Sequence, residues 1–149
     1  MEYDILPGLG LFLIAHILFT ANFGFHSLAN LGLVPILAFI LAMIFLSCYI
    51  LFFHKYLQGA DEPTELLPGV DVYAILISLT LGSSLLLWLS TATMLGFLPL
   101  LGAGFFIFSD SLIGVREFHH RFKYDETLTM ITYYLAVFLL SLGSIVYAL

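Results

Sequence analysis

The chain has 149 residues, of which 62% are hydrophobic and 9% charged, and its formal net charge is −6. A soluble domain keeps roughly 25% charged residues to cover its surface, so a water-soluble globular protein is excluded. With four Lys and Arg in all, nucleic acid is excluded as a partner, because its binding rests on many cations.

The acidic start, Met1-Glu2-Tyr3-Asp4, lacks the basic n-region of a secretory signal. No linker, repeat or low-complexity tract divides residues 1–149, which read as one all-α domain, a polytopic transmembrane helix bundle. A span needs about 20 apolar residues, and five segments qualify: 5–25, 31–53, 70–89, 95–115 and 128–149.

The first span carries His16 near its middle. An intramembrane His serves as a hydrogen-bond partner, a proton carrier or a group that orients a substrate. The second span holds Cys48, the only cysteine, which reads as a packing residue. The third has Tyr73 near its start and a stripe of Ala74, Ser78 and Gly82, where a neighbouring helix can approach closely.

The fourth span contains the most informative residue. Asp110 lies inside an apolar run and six residues before the next charge, Arg116. An ionised carboxylate costs on the order of 2.5–3.5 kcal/mol at a bilayer centre, so an acid there is expected to face a polar site. In its neutral form it can serve as a general acid. Ala103, Phe106, Ile107, Asp110, Gly114 and Glu117 fall near one face of this helix by its 3.6-residue period.

Tyr133 and Tyr134 lie near the start of the fifth span and fit either an aromatic belt at a membrane interface or a substrate-binding role. His119 and His120 are adjacent and point about 100° apart on a helix, a poor chelate compared with ligands spaced i, i+4. No metal or cofactor is expected.

Five alternating spans place Lys55, Arg116, Arg121 and Lys123 on one face together with the N-terminus. The positive-inside rule makes that face cytoplasmic.

Three segments together resemble a known family. The run Gly102-Ala103-Gly104-Phe105-Phe106-Ile107-Phe108-Ser109-Asp110 resembles the small-residue, aromatic, Ser-Asp signature of the lysoplasmalogenase-like YhhN membrane proteins. Leu9-Gly10-Leu11-Phe12-Leu13-Ile14-Ala15-His16 resembles their Gly-x-x-Phe-x-x-Ala-His helix, and Tyr133-Tyr134-Leu135-Ala136 their last helix. The resemblance implies a membrane hydrolase that cleaves the vinyl ether bond of lysoplasmalogens by carboxylic acid catalysis. Asp110 and His16 are then the catalytic candidates, with Tyr73, Ser109, Tyr133 and Tyr134 at the substrate.

The chain also departs from that pattern. The family usually has about eight spans, and this chain begins where the fourth would. A Gly-Asp pair carried upstream in the family has no counterpart, since Asp4 lies only six residues before Gly10. Phe19, Val137 and Arg116-Glu117 stand where the family often has Tyr, Gln and Asn-Arg. These departures leave open a fragment, a wrongly assigned start, a short form that assembles as a homo-oligomer, and an inactive relative that binds lipid or is structural. A small proton-coupled transporter using Asp110 and His16 is a further alternative, although the repeats and broken helices of such proteins are missing.

Overall fold

The computed structural model describes residues 5–59 and 67–148. Five helices follow one another: α1 (Ile5–Ser27), α2 (Leu33–Gln58), α3 (Leu67–Thr91), α4 (Met94–Phe118) and α5 (Asp125–Ala148). A single 3-10 turn, Leu28–Asn30, joins α1 to α2. All five helices are long and apolar enough to cross a membrane.

Each helix runs past the apolar segment that marks it in the sequence. Twenty-five helical residues span about 37 Å, against a hydrocarbon core of about 30 Å. The extra turns lie at headgroup depth, where polar side chains are tolerated. Thus α2 continues through His54, Lys55 and Tyr56 to Gln58, residues that read as loop in the sequence. His54 Nδ1–H donates to the Asp71 carboxylate of α3 at 2.8 Å, and Gln58 donates to His54 Nε2 at 2.7 Å. At the start of α4, Thr93 caps the helix by accepting the Gly96 N–H at 3.1 Å. Tyr124, at φ 68°, turns the chain into α5.

Helix α3 packs against α1, α2 and α4, while α5 lies along α4 and touches α1. Gly82, from the small-residue stripe of α3, meets α2: a Cβ there would lie 2.7 Å from the Phe39 ring. Elsewhere α2 turns large apolar side chains outward, including Leu37, Leu41, Phe45 and Phe52. Cys48 is exposed on this helix rather than packed.

Small residues also bring α4 and α5 together. A Cβ on Gly102 would lie 2.9 Å from the Leu140 backbone nitrogen and 3.1 Å from the Ala136 carbonyl. A Cβ on Gly143 would collide with the ring of Pro99, which is buried inside α4. In a bilayer such close approach supplies much of the helix association. Gly102→Val is therefore expected to lower the thermal unfolding midpoint in detergent, since overpacking costs about 1–3 kcal/mol. At Gly104 an added Cβ meets nothing within 4 Å, so Gly104→Ala is the neutral control. Equal midpoints for the two variants would contradict this packing.

One end of the bundle gathers the cations. Lys55 and Arg116 lie in the last turns of α2 and α4, and Arg121 and Lys123 are exposed in the connection that follows. His119 Nε2–H donates to the Tyr56 carbonyl at 2.8 Å. Leu57, Leu67 and Phe118 pack beneath.

Candidate functional site

Helix α1 presents His16 to the interior, where it is 1% exposed. Its Nδ1 lies 2.9 Å from Thr80 Oγ1 on α3. Thr80 is fully buried; its hydroxyl lies 3.0 Å from that of Thr20 and 3.1 Å from the Leu76 carbonyl. Two aromatic side chains hold the imidazole edge-on. The Phe106 centroid is 4.5 Å away at 85°, and that of Tyr73 is 6.0 Å away at 81°. Edge-to-face geometry is the favoured aromatic arrangement.

The same cluster reaches α5. Tyr133 stands 5.9 Å from Phe106 and 5.5 Å from Phe12, ring to ring. Four helices thus converge on Phe106. The candidates read from the sequence lie on the same four helices, α3 through Tyr73; Thr80 of α3 is the addition.

Asp110 follows Phe106 by one helical turn and shares its face. Its Oδ2 is buried and has no hydrogen-bond partner. Tyr73 of α3 and Tyr133 of α5 are electrostatic neighbours of this carboxyl. An unsatisfied buried polar atom costs about 1–3 kcal/mol, and such atoms in native structures call for a functional explanation.

The structure therefore brings Asp110, His16, Tyr73 and Tyr133 into one cluster. Ser109 and Tyr134 lie outside it. Ser109 is fully buried, but its hydroxyl donates to the Thr129 carbonyl at 3.1 Å and so ties α4 to α5. Tyr134 is 66% exposed and faces away from the bundle. Thr80 is the site residue missed by the sequence reading. Its signal there is faint, a hydroxyl among the other hydroxyls of α3, Ser78, Ser83 and Ser84.

Among the described residues, no three His, Cys, Asp or Glu side chains gather closely enough to hold a metal ion. The arrangement is suited to proton transfer from an acid in an apolar, aromatic setting.

No curated protein and no solved structure matches the chain. A family model described as YhhN family matches residues 2–144, nearly the whole chain. The five apolar helices and this match make it an integral, multi-pass membrane protein of the YhhN family, to which lysoplasmalogenases belong.

Proposed function

We propose that the chain hydrolyses the vinyl ether bond of lysoplasmalogen-type lipids, with Asp110 as the acid. The observation that carries this reading is the half-buried Asp110 carboxyl, one oxygen of which is buried and unpartnered, in a membrane bundle. Asp110 donates its proton to the alkenyl carbon that does not bear the ether oxygen. The ether carbon becomes an oxocarbenium ion, which the new carboxylate stabilises. Water adds to that carbon and gives up a proton, which restores the acid. The hemiacetal then breaks its bond to the glycerol oxygen, releasing a fatty aldehyde and the glycerophospho-headgroup alcohol. Each turnover consumes one water, and no oxidant or metal enters the balance.

His16 is fixed by Thr80 and Phe106 and serves as the second proton carrier at the site. Tyr73 and Tyr133 frame the reacting end of the lipid. The apolar groove on α4 between Leu101, Gly104, Phe105 and Phe108 suits the hydrocarbon tail, and the exposed Tyr134 lies against surrounding lipid. Ser109 acts at the substrate only indirectly, by holding the Asp110 turn against α5.

A panel of lysolipids in detergent micelles tests the reaction class. Aldehyde is expected from the vinyl ether lipid and none from the saturated ether or ester analogues, which cannot form the oxocarbenium ion by protonation at carbon. Turnover of the ester alone would contradict the mechanism. No turnover of any lysolipid, with the lipid still bound, would favour a non-catalytic lipid-binding protein.

The basic end is proposed to face the cytoplasm. In a variant lacking Cys48, a cysteine placed at His120 is expected to resist an impermeant reagent added outside intact cells. Ready labelling there would reverse the orientation.

A further inference from the structure

Hydrolysis at Asp110 needs water, and Oδ2 of this half-buried residue is itself shut off among the helices. Three buried side-chain atoms among the described residues have no hydrogen-bond partner: Asp110 Oδ2, Asp125 Oδ2 and Thr129 Oγ1. Their placement is not scattered. Asp125, Thr129 and Tyr133 are spaced four apart on α5, so they line one face with a rise of about 6 Å per step. Ser109 Oγ donates to the Thr129 carbonyl, which sets Thr129 level with the Asp110 turn of α4.

Thr129 also differs from most of the bonded hydroxyls in these helices. Thr80, Ser84, Thr91, Ser111 and Thr132 each donate to the carbonyl four residues back, the usual refuge for a hydroxyl in a helix. Thr129 does not, although it is only 4% exposed. Asp125 is 9% exposed; its Oδ1 accepts the Glu126 N–H at 2.7 Å while Oδ2 is left over. Asp125 opens α5 directly behind the exposed Arg121 and Lys123, at the basic end of the bundle.

We infer that the α4/α5 seam from Asp125 through Thr129 to Asp110 binds a short file of water molecules, which supplies the hydrolytic water and returns protons to Asp110. Buried waters typically make about three hydrogen bonds to otherwise unsatisfied groups, and the three orphaned oxygens with the Tyr133 hydroxyl offer such partners in a row. Its kinetic consequence rests on the hydrolase reading; its water sites do not.

Hydroxyl-radical footprinting by X-ray radiolysis tests the water sites without any substrate, because bound waters are converted to radicals in place. Thr129→Val keeps the shape and removes the hydroxyl. Oxidation of Tyr133 is expected to fall about fivefold in this variant, the occupancy change for one lost hydrogen bond to a water. The exposed Tyr134 is expected not to change, and Thr129→Ser to label as wild type does. Unchanged Tyr133 labelling in folded Thr129→Val would overturn the proposal.

Wild type decides the matter if that variant does not fold. Phe106 and Phe23 are both buried, at 2% and 0% exposure, but only Phe106 adjoins the file. Oxidation of Phe106 above Phe23 supports the file, and equal, slow oxidation of both overturns it. In the kinetic arm, kcat of Thr129→Val is expected to fall about tenfold, or about 1.4 kcal/mol, with KM within about twofold because the lipid contacts are untouched. Lost footprinting in a chain with no lysoplasmalogen turnover would uphold the water file and reject the hydrolase.

Discussion

Aldehyde release from lysoplasmalogen is expected to fall about 100- to 10,000-fold in Asp110→Asn, the range typical of a lost general acid. The amide keeps the size of the carboxyl and its capacity to accept a hydrogen bond. It cannot give a proton to carbon or stabilise an oxocarbenium ion as a carboxylate. Folding should survive, because a neutral amide is no more costly to insert in a bilayer than a carboxylate. A thermal unfolding midpoint close to wild type is the required companion measurement. Near wild-type turnover in that folded variant would remove Asp110 from the chemistry.

His16→Gln is the second large effect. The glutamine amide can still reach the Thr80 hydroxyl, which keeps Thr20 and the Leu76 carbonyl as partners in any case. The variant therefore separates the hydrogen bond of His16 from its capacity to carry a proton. A proton carrier predicts a loss of about 100-fold or more in kcat at an unchanged unfolding midpoint. A purely structural His16 predicts turnover close to wild type in the folded protein, with any loss confined to the unfolding midpoint through the edge-on contacts with Phe106 and Tyr73.

Much of the fold is legible in the sequence because lipid imposes a simple rule. Every backbone group in the hydrocarbon must be satisfied within its own helix, so five long apolar runs become five helices. The ends are less legible. His54, Lys55 and Gln58 read as loop by polarity, yet they remain helical because headgroup depth tolerates them and His54 finds Asp71. The single acid and the mid-span histidine stand out by their cost in lipid. The choice between Tyr133 and Tyr134 does not. Neighbours on a helix point about 100° apart, and only the packing of α5 on α4 and α1 decides that Tyr133 turns inward. Ser109 lies next to Asp110 in sequence for the same reason that it lies outside the site: its side chain takes the adjoining face, toward Thr129. Thr80 and Thr129 escaped notice because a threonine in a membrane helix ordinarily bonds its own backbone. Thr80 does so while also meeting His16, and Thr129 does not do so at all. Neither difference leaves a trace in composition or spacing.

The reaction run in heavy water tests the central claim most directly. Protonation at carbon by Asp110 leaves one solvent-derived hydrogen on the carbon next to the aldehyde. Wild-type protein turning over lysoplasmalogen in D2O is predicted to release fatty aldehyde carrying a single deuterium at that position, read by mass spectrometry, with the glycerol oxygen retained in the headgroup alcohol. Aldehyde without deuterium at that carbon, or an oxidised product in its place, would contradict acid-catalysed hydrolysis at this site.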